Sequence, residues 1–224
     1  GYNDVEGYEN NGGYLGALIG RCGNRIEKGK LVIDGETYQL FCNDRGNHLH
    51  GGQKGFDKKV WDYVFEGADG NTLSLNTTAA DGEENYPVNM RIQERYAFVN
   101  GELKISYGAM SDKKTAINMT NHAYFNLDGE GSGNVLDTFL TIDADRVTPT
   151  DETLIPHGEF RDVAGTPFDF RKPRRIGEHI FDDDPDLRAG DGYDINFVLN
   201  KRSGVYGKVA EAESERSGIV MQVY

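Results

Sequence analysis

Tyr96-Ala97-Phe98-Val99-Asn100-Gly101-Glu102-Leu103-Lys104-Ile105-Ser106-Tyr107 reads as two strands folded about an Asn-Gly turn. Tyr96 and Phe98 precede the turn, while Leu103, Ile105, Tyr107 and Ala109 follow it, alternating with smaller or polar residues. Side chains alternate faces along an extended chain, so a period of two marks a strand. The same grammar recurs outward from this hairpin. Leu31-Val32-Ile33, Asp34-Gly35 and Thr37-Tyr38-Gln39-Leu40 form strand, type I′ turn signal and returning strand. Trp61, Tyr63 and Phe65 alternate with Asp62, Val64 and Glu66, and a loop containing Asp69-Gly70 leads into Leu73 and Leu75. Ser217-Gly218 introduces Ile219, Met221 and Val223. A helical period is nearly absent; one short helix is predicted from Pro173 to Phe181, with proline accepted in the first turn. Antiparallel strands without intervening helices predict an all-β fold, a large antiparallel β-sandwich, as one domain over residues 1–224. The irregular stretch from Thr148 to Pro173 is expected along a face or rim, where binding residues usually sit.

Composition narrows the function. The formal net charge of −13 argues against nucleic acid and anionic membranes, which need clustered Lys and Arg, and favours a neutral small molecule. Cys22 and Cys42 are too few for a disulfide framework and lack zinc-ligand spacing, so both read as reduced thiols, which favours a cytoplasmic protein. No apolar run approaches the ~20 residues that span a bilayer. The chain starts at Gly1 without a methionine and stops at Tyr224 inside a strand-like segment, so it is expected to be part of a longer polypeptide.

The chemistry concentrates in two histidine segments, Asn47-His48-Leu49-His50-Gly51-Gly52 and Thr120-Asn121-His122-Ala123-Tyr124-Phe125-Asn126-Leu127. They hold three of the five histidines, the side chain that exchanges protons near neutral pH. Together with Gly20-Arg21-Cys22-Gly23-Asn24-Arg25-Ile26, Gly55 to Trp61, Asp81 to Pro87, Asp151 to Glu159, Thr166 to Pro173 and Gly192-Tyr193-Asp194-Ile195-Asn196-Phe197, they resemble, in collinear order, the motifs of the aldose 1-epimerase (galactose mutarotase) family. Ala123 stands where the family's TNHSYFNL motif has serine, and Ile195 where GYDHNF has histidine. The resemblance covers nearly the whole chain.

It implies a β-sandwich enzyme, incomplete here at both ends, that interconverts the α and β anomers of free hexoses such as galactose and glucose, without cofactor or metal. In that reading His122 is the general acid for the ring oxygen, His50 assists at the sugar, and Arg25, Asp194 and Asn24 hold hydroxyls. The family's general-base glutamate belongs to a segment downstream of Tyr224, and no residue here matches it; the 224-residue chain alone is therefore expected to be severely impaired as a catalyst. A phosphosugar epimerase would need extra cations that the composition does not offer. The reading from another class is a non-catalytic sugar-binding or regulatory module of the same fold.

Each signal has a plainer alternative. His48 would face the same side as His50 on a strand, but without a third metal ligand it reads as structural. Asn24 and Arg25 have a loop salt bridge as their alternative. The acidic run Asp182-Asp183-Asp184-Pro185-Asp186 lacks the glycine and bidentate glutamate of a calcium loop and reads as solvated. Glu83 and Glu84 read as loop residues pointing apart, and His157 and His179 as surface residues. Phe56 and Tyr124 are open between sugar stacking and core.

Overall fold

Strands Met90–Val99 and Glu102–Ser111 pair antiparallel from Val99↔Glu102 outward, with Asn100 at φ 53° and Gly101 at φ 78° between them. Both turn residues have positive φ, the geometry that twists a two-residue hairpin correctly and that Asn-Gly adopts at low cost. Asp34 and Gly35, at φ 51° and 87°, close the hairpin Lys30–Ile33 with Glu36–Gln39 in the same way. The computed structural model describes residues 1–10, 12–67 and 69–224. The chain divides into two units, Gly1–Ala123 and Tyr124–Tyr224. Every pairing between strands is antiparallel among the described residues.

The first unit is built on a four-stranded sheet ordered Asp62–Glu66, Thr72–Ala79, Met90–Val99, Glu102–Ser111. Met90, Ile92 and Glu94 are buried along one face of the third strand, while Arg91, Gln93 and Arg95 are not, as period two requires. Met90 and Ile92 join Phe56 and Ala79 in one core, covered by Trp61 and Met119. Trp61 precedes its strand and donates its indole N–H to the Phe56 carbonyl at 3.0 Å. Its partners in the sequence pattern behave differently, for Tyr63, Val64 and Phe65 are all exposed. Alternation there marks a strand without marking a buried face. A second core joins Cys22, Leu40 and Tyr86. Cys22 and Cys42 are both free thiols.

The second unit has a sheet ordered Arg174–Arg175, Phe139–Ile142, Ala210–Glu213, Val220–Val223, and a three-stranded sheet ordered Arg161–Asp162, Ala144–Thr148, Asn196–Leu199. Val147, Val163, Phe168 and Leu187 form its core. The helix predicted from Pro173 to Phe181 is not there. Arg174–Arg175 is a strand and Ile176–Glu178 a single 3-10 turn. The backbone N–H groups of Ile176 and Gly177 go to the carbonyls of Thr138 and Leu136, at 3.0 and 2.8 Å, instead of one helical turn back. Long-range pairing overrides the local preference.

Helices occur instead at Val5–Glu9 and Pro185–Gly190. The second begins inside the acidic run, with Asp184 as N-cap and proline in the first turn. The solvated loop expected from the charge holds for Asp182 and Asp183, which are exposed, but not for Asp184 and Asp186. Asp184 and Asp186 are buried and share one guanidinium: Arg161 donates to Asp184 at 2.5 and 3.0 Å and to Asp186 at 2.8 Å. Arg161 holds the Asp184 carboxyl below the usual carboxylate range. Arg161→Met, which would leave two buried carboxylates side by side, is expected to cost about 2 kcal/mol, toward the lower end of such losses because the guanidinium keeps contact with water. Urea unfolding at neutral pH checks this.

Candidate functional site

The two histidine motifs converge through two short pairings in the first unit. Arg25–Ile26 pairs with His48–Leu49, placing Arg25 opposite Leu49. Ala17–Ile19 pairs with Thr120–His122, placing Ala17 opposite His122. His50 follows the first pair at φ 52°, so it turns out of the strand that carries His48, and the two histidines do not share a face. Gly51 makes the turn possible. At φ +91°, a Cβ there would stand 1.7 Å from the Gly20 carbonyl oxygen, so only glycine passes. The loop is then tied down on both sides. Asn43 accepts from the Leu49 N–H at 2.8 Å and donates to the Leu49 and Gly52 carbonyls at 3.0 and 3.1 Å. Glu84 accepts from the N–H groups of Gln53 and Lys54 at 2.9 and 3.1 Å. Glu83 instead receives the Lys59 ammonium at 2.7 Å. Both glutamates, on a 3-10 turn rather than an extended chain, serve the local framework.

His50 and His122 meet edge to face, with ring centroids 5.1 Å apart and planes at 86°. The Asn24 backbone N–H donates to His50 Nδ1 at 2.9 Å, and the His50 N–H returns to the Asn24 carbonyl at 3.1 Å. A backbone N–H can only donate, so Nδ1 is an acceptor and the neutral ring carries its proton on Nε2. Burial, and then the neighbouring His122, pull the His50 pKa down to about 4. His50 is thus a neutral Nε2–H donor across the physiological range.

Arg25 packs into the same corner with its side chain 11% exposed, and its Nε–H reaches Asp44 at 2.8 Å. It makes the salt bridge that the sequence left open. Asn24, exposed and at φ 58°, accepts the Arg25 N–H on its side-chain oxygen at 2.8 Å. His48 is fully buried: Nδ1–H donates to the Phe41 carbonyl at 2.7 Å, and Nε2 accepts the Tyr86 hydroxyl at 2.7 Å. Both nitrogens are engaged away from the pair. Phe56 is core, and Tyr124 is exposed. Among the described residues no group of three or more His, Cys, Asp or Glu is arranged to hold a metal ion.

Asp194 belongs to the second unit, exposed, just before the strand Asn196–Leu199. Its neighbour Tyr193 anchors this stretch, donating to the Pro167 carbonyl at 3.0 Å with its ring against Phe168 and Phe170. His157 is exposed, and His179 donates its Nδ1–H to the Asp182 carboxylate at 2.7 Å.

One neighbour of the pair was not read from the sequence. Tyr14 lies 4.8 Å from the His50 ring and 5.8 Å from the His122 ring. It stands outside every motif, in a glycine-flanked polar stretch, and only the pairing of Ala17–Ile19 with Thr120–His122 brings it to the histidines.

A family model described as aldose 1-epimerase matches residues 1–224. The galactose mutarotase of Homo sapiens is 42% identical over 224 residues, which is 100% of this chain and 63% of the human protein. The aldose 1-epimerase of Escherichia coli (strain K12) is 38% identical over 220 residues, 98% of this chain and 62% of that protein. The chain therefore spans less than two thirds of the length of these relatives. Among solved structures, galactose 1-epimerase from Lactobacillus acidophilus NCFM has a TM-score of 0.84 at 35% identity, covering 95% of this chain and 62% of that one. An aldose epimerase homologue from C. elegans also reaches 0.84, at 27% identity, covering 99% of this chain and 66% of that one. No helix among the described residues is long and apolar enough to cross a membrane.

Proposed function

Because the chain belongs to the aldose 1-epimerase family, we propose that its histidine pair takes part in opening and reclosing the ring of a free hexose, galactose or glucose. The reaction needs a proton removed from the anomeric hydroxyl and a proton delivered to the ring oxygen. The C1–ring-oxygen bond then breaks, the open-chain aldehyde rotates about C1–C2, and the transfers reverse on the other face. Each transfer is ordinary general acid–base work, worth about 10²–10⁴-fold.

The observation that carries the reading is the asymmetry of the pair. His50 is locked as a neutral donor by the Asn24 N–H, which suits it to hydrogen-bond a sugar oxygen and disqualifies it as the acid near neutral pH. The proton for the ring oxygen falls to His122, which faces it at 5.1 Å. Arg25 offers a planar donor fork for paired hydroxyls, with Asn24 beside it. The acceptor of the anomeric proton is a separate group, since Asp44 is engaged by Arg25.

Addition of D-galactose or D-glucose is expected to shift the imidazole resonances of both His50 and His122, whereas an acyclic hexitol leaves them in place. Saturating hexose that moves neither ring, or a hexitol that moves both equally, sinks the reading.

A further inference from the structure

The rings of Tyr14, His50 and His122 form a closed triangle. Tyr14 meets His50 at 4.8 Å with planes at 73°, and His122 at 5.8 Å with planes at 37°. His50 and His122 close the third side at 5.1 Å. We propose that Tyr14 is a positioning residue of this site, its ring covering His50 against water and bracing His122 so that the two imidazoles stay edge to face. The proposal deepens the reading of the pair as acid and helper, and its catalytic consequence rests on that reading.

The backbone beneath Tyr14 is built for the purpose. Tyr14 sits at φ 57°, a left-handed conformation that few bulky residues adopt and that persists only where surrounding contacts enforce it. Two bonds do so. The Ala17 N–H returns to the Tyr14 carbonyl at 3.0 Å, and the Gly16 N–H reaches the carbonyl of His122 itself at 3.0 Å. The loop carrying the phenol is therefore stapled to the residue it braces.

The ring also accounts for part of the water exclusion at His50. The groups facing His50 are His122 on Thr120–His122, Arg25 on Arg25–Ile26, His48 on its own strand, and Asp44 in the preceding loop. Of these only Asp44 favours the charged imidazole. Burial outweighs all of them, so removing the Tyr14 ring beside His50 lets the charged form return. The Tyr14 hydroxyl is not the agent. Burial first, and then Asp57 and Asp44, push its pKa up, so the phenol stays neutral in phenylalanine's manner.

Imidazole titration by heteronuclear NMR separates these roles. Tyr14→Ala is expected to raise the His50 midpoint by one pH unit or more, from about 4 toward the ordinary value near ~6.5, while Tyr14→Phe leaves it in place. In the intact protein Tyr14→Ala is expected to lower kcat for anomer interconversion by about 10²-fold with KM little changed, since misplacement by about 1 Å is that costly. Tyr14→Phe retains kcat. The proposal is overturned if Tyr14→Ala leaves the His50 midpoint unmoved, or if Tyr14→Phe reproduces the alanine effect. Should Tyr14→Ala fail to fold, the wild type decides: absent nuclear Overhauser contacts from the Tyr14 ring to both imidazoles overturn it equally. A wild type that shows these contacts and the low His50 midpoint, yet binds no hexose, refutes the sugar reading and leaves the positioning role standing.

Discussion

Replacing Glu94 by leucine is expected to stabilise the first unit by about 3 kcal/mol more at pH 8 than at pH 4. Glu94 is fully buried on the face of Met90–Val99 that carries Met90 and Ile92, and it lies opposite Leu75 and Tyr107 on the adjacent strands. Neither carboxyl oxygen has a hydrogen-bond partner. The Tyr96 hydroxyl, which accepts the Asn121 side-chain amide at 2.9 Å, is near enough to draw the carboxyl pKa down, but less than burial raises it. Burial wins and pushes Glu94 up to about 7 from 4.5. The sign follows from where each state releases its proton. Below about pH 4.5 both states hold it and the site costs nothing extra from ionisation. Between 4.5 and 7 the unfolded chain ionises and the folded one does not, so stability falls as pH rises. Above 7 the penalty is complete. His50 works in the opposite direction, since its folded pKa lies below its unfolded one and stability is lost as pH falls from about 6.5 toward 4. The raw pH profile of the wild type therefore mixes two opposed trends. The difference between wild type and Glu94→Leu, from urea unfolding at pH 4, 6 and 8, isolates the carboxyl. A difference that does not grow with pH would show that Glu94 is not the ionising group. Glu94→Gln, which removes the charge but leaves a buried amide unsatisfied, is expected to recover only part of the gain.

The hairpins were legible because their determinants are local. Asn100-Gly101 and Asp34-Gly35 need positive φ at two successive residues, and few other dipeptides supply it. The motif residues were legible by resemblance, and four of them, Asn24, Arg25, His50 and His122, do gather in one unit. Their chemistry was not. The tautomer of His50 is set by a backbone N–H 26 positions away, which no pattern of side chains encodes. The acidic run misled because a charge is solvated only if no cation is folded onto it, and Arg161 reaches Asp184 from 23 residues upstream. The helix predicted after Pro173 failed for the same kind of reason, its N–H groups being claimed by Leu136 and Thr138. Tyr14 was invisible because a strand of three residues, Ala17–Ile19, aligns it. Period and turn chemistry report what a segment can do alone; these sites depend on what another segment brings to it.

His122→Gln is expected to slow anomer interconversion by roughly 10²–10⁴-fold in the intact protein, with hexose affinity changed less than about fivefold. Glutamine can still hydrogen-bond a sugar oxygen, but it has no proton to transfer at any relevant pH, so the loss should fall on kcat. What makes the loss large is the lack of a substitute. The histidine ring that meets His122 is His50, and it is tied at Nδ1 by the Asn24 N–H and resists protonation down to about pH 4. Charging it at neutral pH would require breaking that bond and overcoming burial together. The converse variant gives the contrast. His50→Gln keeps a neutral donor in the same corner and is expected to cost only about tenfold, at the scale of a single neutral hydrogen bond. For the same reason His50 contributes no titration limb between pH 5 and 8, and the pH profile of His50→Gln should retain the shape of the wild type. Polarimetry of freshly dissolved α-D-galactose measures both variants. A His122→Gln protein within tenfold of wild type, or a larger loss in His50→Gln than in His122→Gln, would reverse the assignment of acid and helper.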